Sequence, residues 1–256
     1  MNPLGRRMFL LTLLAVLVQP VSSMAAQDNQ PTPIQHDPIT LEPAQPPREE
    51  PGPQQKPPVE QLGNGLFRVG RIEIDQNKST LRVPGYMLPG EPTKAIEFLA
   101  TTPGGYKSYE SVMELHASAF EFNLASILIG LDAERAVAPE FHFDPTPLQG
   151  DRVEIRVSWL QGGQRIDRDA VDLLRLDNGK PPKPSVWIYT GSGFNQAGDF
   201  MAEVDGVLIG MVHAPASIFE HREGMGLGQW GALTIDPEIA PGAGQEIELT
   251  VRFPRP

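Results

Sequence analysis

His213, Glu220, His221 and Glu223 bring two imidazoles and two carboxylates into one short stretch. Neutral imidazole and carboxylate are common ligands of a divalent metal, so these four residues are the candidates for a metal site. Their spacing matches no fixed ligand geometry, however. His213 follows an apolar run and His221 lies in the charged segment "EHRE". A strand-end histidine beside a solvated charged face is the competing reading, and the sequence favours it; no metal and no cofactor is expected. His116 and His142 stand alone in "ELHAS" and "FHFDP", and no Ser–His–Asp order can be built from them.

Ser192 is the next candidate, because "SVWIYTGSGF" sets a serine between two glycines at the end of an apolar aromatic run. A nucleophile elbow needs Gly-x-Ser-x-Gly, and Thr190 and Phe194 occupy the outer positions. No helix pattern follows that could hold a phosphate on its N-terminus. The glycines therefore read as a bulge or tight strand exit, with Ser192 hydrogen-bonded locally. Gly226-Leu227-Gly228-Gln229-Trp230-Gly231 formally matches a dinucleotide fingerprint, but neither a buried strand before it nor a helix after it is legible. It reads as a glycine-rich loop at the lip of a pocket, with Trp230 as its anchor.

The elements that would position these residues begin well inside the chain. Arg6-Arg7, the apolar run "LLTLLAVLV" and the small residues around Ser23 and Ala25 predict a secretory signal peptide over 1–25. The paired arginines also resemble a twin-arginine export signal, and both export routes stay open. Residues 26–60 hold 10 of the 27 prolines between Gln27 and Glu60, with no aromatic residue, and read as a disordered spacer. Removing the signal takes away two of 21 basic residues and leaves 19 against 32 acidic ones, a balance of −13. Such a surface repels nucleic-acid backbones and anionic headgroups. No cysteine is present, which excludes disulfides, thiolate metal sites and a lipidated cysteine anchor, so no stable membrane anchor is expected after cleavage.

Residues 61–256 carry the folding pattern. "RIEIDQNKSTLRV" predicts a hairpin, "AIEFLATT" and "SVMEL" strands, and "DRVEIRVSWL" a strand that places Val153, Ile155, Val157 and Trp159 on one face. Asp205-Gly206 reads as the two-residue turn of a further hairpin, and "EIELTVRF" as the last strand. Ser118 and Glu121 form a capping-box pair. Phe120, Leu124, Ile127, Leu128 and Leu131 follow at helical spacing, with Gly130 placed to end the helix. The expected fold class is α+β: a predominantly antiparallel sheet with one main amphipathic helix packed on it.

The run Lys107-Ser108-Tyr109-Glu110-Ser111, the helix ending in "ILIG", the "WIYTGSGF" strand and the "VDGVLIGMVHAP" segment occur in an order and spacing that resemble the YdjY-type domain. That group comprises exported bacterial proteins of unknown function, and the similarity covers Leu66 to Phe253. The resemblance implies Glu110 and Ser111 as family-motif residues. It also implies that histidines common in the family stand replaced here by Tyr109 and Asn123. The function expected from all this is a soluble, exported, non-catalytic binding or structural module in the periplasm or outside the cell, with an envelope protein or another extracytoplasmic ligand as partner. The alternative is a metal-assisted or carboxylate-based hydrolase.

Overall fold

The structure is a computed structural model that describes residues 58–90, 95–176, 178–179, 182, 185–225 and 231–254. The expected signal peptide, most of the proline-rich spacer, and Trp230 with its neighbours 226–229 lie outside the described residues.

The chain lays down β1 (Val59–Gly63), β2 (Leu66–Val69), β3 (Ile72–Asp75), β4 (Thr80–Met87), β5 (Phe98–Thr101) and β6 (Ser111–Leu115), then the helix α1 (Ala119–Leu128). There follow β7 (Asp151–Gln161), β8 (Gln164–Asp169), β9 (Leu174–Leu176), β10 (Trp187–Tyr189), the short helix α2 (Met201–Asp205), β11 (Val207–Gly210), β12 (Phe219–His221), β13 (Leu233–Ile235) and β14 (Glu246–Arg252). Eight strands pair in the order β4-β14-β7-β10-β12-β11-β5-β6, and β6 returns to β4 through Gly85↔Leu115, Tyr86↔Glu114 and Met87↔Met113. The ring is closed. The protein is mostly β, and the expected α+β sheet with a helix packed on it is overturned by this closure, which leaves the ring no free edge.

Two strands serve as branch points. Along one edge β4 pairs with β14; along the other it pairs first with β3 (Thr80–Arg82) and then with β6 (Gly85–Met87). Pro84 sits at the changeover. Its carbonyl accepts from His116 N (2.8 Å), so its missing N–H faces the same gap between β3 and β6, and no ladder donor is lost. β7 divides similarly, between β10 near its start and β8 toward its end. The tight Gly162-Gly163 turn, with φ of 57° and 80°, joins β7 to β8 as a type I′ hairpin would. Inward alternation holds as expected: Val153, Ile155, Val157 and Trp159 of β7 and Ile247, Leu249 and Val251 of β14 are buried in one core.

The capping box is present: Ser118 Oγ accepts Glu121 N (3.2 Å) and Glu121 Oε2 accepts Ser118 N (2.8 Å). The buried face differs from the expected stripe. Ala119, Phe122, Ala125 and Ser126 turn inward, and Phe122 meets Phe219 edge-to-face at 5.6 Å. Of the predicted stripe only Leu131, beyond the helix, is fully buried, and Ile127 is 51% exposed. Ala119, Ala125 and Ser126 allow α1 to approach the β2–β3 hairpin and β11 closely, while Phe120, Leu124 and Leu128 pack half-buried against the same core. The expected hairpin about Asp205-Gly206 is instead the end of α2: Gly206, at φ 67°, is its left-handed C-cap. Among the described residues no helix is long and apolar enough to cross a membrane.

Candidate functional site

Beyond β10 the chain leaves the barrel through Thr190. Thr190 N and Gly191 N both donate to Ile218 O (3.0 and 3.1 Å), and Thr190 Oγ1 donates to Ser217 O (2.9 Å). This anchoring forces a left-handed bend at Gly191 (φ 74°) and Ser192 (φ 60°). Ser192 Oγ donates to Ala216 O (2.8 Å). A nucleophilic serine gives its proton to a base; this one is held by a carbonyl. The expectation of a strand exit with a locally bonded serine matches this geometry, although the positive φ falls at Gly191 and Ser192 and not at Gly193.

The bend places Phe194 at the mouth of a cleft of about 670 Å³ between α1, β10 and the Ala133–Arg135 turn. Asn195 Oδ1 accepts Ala197 N and Asp199 N (both 2.9 Å), closing a tight turn that sets Phe194 against Phe200. Phe120, Phe200 and Phe194 form one wall, with centroids 5.0 and 5.6 Å apart. Phe120 is brought there because Glu203 of α2 accepts the first amides of α1, Ala119 N (2.9 Å) and Phe120 N (3.4 Å). On the floor, Tyr189 OH donates to Asn123 Oδ1 (2.7 Å). Burial raises the Tyr189 phenol's pKa, and the charges of Asp132 and Asp151 add to the effect. Sequence reasoning found Ser192 but missed this aromatic wall. The pair of phenylalanines flanking "NQAGD" was the signal that could have revealed it.

Glu110 and Ser111, to which the sequence resemblance pointed, lie elsewhere. Glu110 ends a 3₁₀ turn (Tyr106–Glu110) and is buried, with Lys107 Nζ 2.8 Å from its Oε1. Ser111 is fully buried and its Oγ donates to Lys107 O (2.7 Å), so it ties the turn down. Lys107 lies over the rings of Phe98, Tyr106 and Tyr109, with Nζ 5.7–5.9 Å from their centroids. Burial opposes its charge, yet the Glu110 hydrogen bond prevails and its pKa is raised. Next to Glu110, on the paired strand path, Glu97 N donates to Glu110 O (2.9 Å), and the buried Glu97 carboxylate meets His142 Nε2 at 3.2 Å. Glu97 and His142 went unrecognised as a pair because they meet from distant parts of the chain, whereas Lys107 and Glu110 lie only three residues apart.

His213, Glu220 and His221 are buried side by side. Glu220 accepts His213 N (3.2 Å) and Ala214 N (2.6 Å), and the ring of His213 sits between Asp144 O (Nδ1, 2.5 Å) and His221 O (Nε2, 2.8 Å). Burial pushes the Glu220 carboxyl up to about 8, against the opposing pull of Ala214 N, Ser217 and His213 N. The His221 ring packs edge-on to Trp187 at 5.5 Å. Glu223 points away to a partly exposed pair with Arg222. Among the described residues no group of three or more His, Asp and Glu side chains is placed to hold a metal ion.

A family model described as the YdjY domain matches residues 72–252, from the first residue of β3 to the last of β14. The match therefore takes in every strand of the closed ring. No curated protein and no solved structure matches the chain.

Proposed function

The chain belongs to the YdjY domain family, and from that premise we propose that it is an exported, non-catalytic binding module of the bacterial envelope that works through the cleft beside α1. The carrying observation is the contrast at that cleft. Ser192, the serine of that lining, donates its proton to Ala216 O, whereas Phe194 and Ile127 leave 69% and 51% of their surface exposed. Exposed apolar groups gathered around a concavity are the usual mark of a contact surface. The signal-like residues 1–25, the proline-rich 26–60 and the acidic balance support a module displayed outside the cytoplasm.

The test is photo-crosslinking in the native cell, with p-benzoyl-phenylalanine placed at position 194 and, as control, at the exposed Leu160 of β7. Discrete adducts from position 194 but not 160 are expected. Fractionation must find the chain outside the cytoplasm, and cytoplasmic retention would overturn the export part.

A carboxylate-based hydrolase has one observation in its favour. Glu97 and Glu110 are buried on paired backbone, Glu97 against the ring of His142 and Glu110 against the ammonium of Lys107. Turnover of ester or glycoside substrates that Glu110→Gln abolishes in folded protein would establish that reading in place of the first.

A further inference from the structure

The cleft beside α1 has a chemistry specific enough to name its occupant, granted the reading above that it is a binding site. We infer that it takes a peptide segment of another protein in which an apolar side chain stands next to a lysine or arginine.

The apolar requirement comes from the wall. The rings of Phe120, Phe200 and Phe194 run in sequence, with centroids 5.0 and 5.6 Å apart. They cover on the order of 10 Å, the reach of about three residues of extended peptide. Phe194 is the outermost and the most exposed. A partner side chain laid on it removes apolar surface that the isolated chain leaves in water.

The cationic requirement comes from the opposite side. The charged residues lining the cleft are Asp132 and Glu134, both acidic. Asp132 shares Arg135 with Asp151, at 3.5 and 3.0 Å, while Glu134 enters no ion pair among the described residues. The phenol of Tyr189 on the floor feels the negative charges of Asp132 and Asp151. An anionic ligand would be repelled here, and a lysine or arginine is drawn to a rim that also offers aromatic faces.

The peptide requirement comes from Asn123. Its Oδ1 is taken by Tyr189 OH, which orients the amide and leaves its Nδ2 hydrogens to donate. A peptide carbonyl is the acceptor that suits them.

The experiment measures binding of fluorescein-labelled octapeptides to the folded protein by anisotropy at two salt concentrations. The probes alternate leucine with lysine, leucine with glutamate, and serine with lysine. The leucine–lysine probe is expected to bind at least tenfold more tightly than either other probe. Phe194→Ser and Glu134→Gln should each weaken it at least fivefold, with circular dichroism and melting unchanged because both side chains lie at the surface. Equal binding to Phe194→Ser, a preference for leucine–glutamate, or serine–lysine binding as tight as leucine–lysine would overturn the inference. Crosslinks from position 194 without a leucine–lysine preference would sink only the partner class. Absence of both would sink the binding reading as well.

Discussion

Glu220 holds the backbone of His213. Its carboxylate accepts the amides of His213 and Ala214, at 3.2 and 2.6 Å, in a region where Glu220 and His213 are fully buried. That contact stabilises a left-handed residue, His213 at φ 63°, which sends its ring between the carbonyls of Asp144 and His221. A neutral imidazole can donate to only one of those carbonyls. The Ser217 hydroxyl and the close passage of Gly210, where a Cβ would collide with Glu220 and Ser217, complete the packing.

Stability should therefore depend on pH through Glu220. Its folded pKa, about 8, exceeds the ordinary value of 4.5, so the native state binds this proton more tightly than the unfolded chain does. The contribution is complete below about pH 4.5 and is lost as pH rises toward 8. Melting temperature should fall across that window, and Glu220→Gln should flatten the fall while lowering stability at the acid end. Calorimetric scans from pH 4 to 9 check this; a slope unchanged in Glu220→Gln would refute it.

Ser192→Ala removes one hydrogen bond to Ala216 and should cost about 1 kcal/mol. Gly191→Val should be far worse, because it forces a β-branched residue to φ 74° with its Cβ against Ala133. Gly193→Val is the mild member of the series, since a Cβ there meets only the flexible end of Met201, at 3.2 Å. Urea midpoints should rank Gly191→Val lowest; a lower midpoint for Gly193→Val would contradict the assigned bend.

On α1, Ser118→Ala should cost about 1 kcal/mol through loss of the cap. Phe122→Ala should cost about 3–5 kcal/mol, since it empties the contact with Phe219. Ile127→Ala, half-exposed, should stay within about 0.5 kcal/mol. Chemical denaturation in which Ile127→Ala rivals Phe122→Ala would show that the helix face is wrongly oriented.

Lys107→Met strands the Glu110 carboxylate, whose side chain is only 7% exposed. The expected loss is roughly 1.5–3 kcal/mol, the usual size for a hydrogen bond to a charged group. Adding Glu110→Gln should restore part of it, because the stranded charge is then gone. A double variant less stable than Lys107→Met alone would mean that Glu110 has another partner in the fold.

Features set by neighbours in the chain were legible in the sequence. The β3–β4 hairpin, the alternation of β7 and β14, the Gly162-Gly163 turn and the Ser118–Glu121 capping box each depend on periodicity or on bonds reaching only a few residues. Asp205-Gly206 shows where such reading becomes ambiguous. A glycine at positive φ serves equally as a hairpin turn and as a helix C-cap, and only the packing of α2 against β11 and α1 selects the second. The inward face of α1 was likewise open. Hydrophobicity favoured the leucine and isoleucine stripe, but the closeness of the β2–β3 hairpin and β11 admits Ala119, Ala125 and Phe122 instead. Ring closure is the strongest case. Gly85 meets Leu115, thirty positions further along the chain, and its missing Cβ is what lets the Glu114 carbonyl lie against it. No local pattern encodes that meeting, nor the arrival of Phe120 from α1 beside the Phe194–Phe200 pair. Both arise from distant segments whose apolar faces are buried only when the barrel is whole.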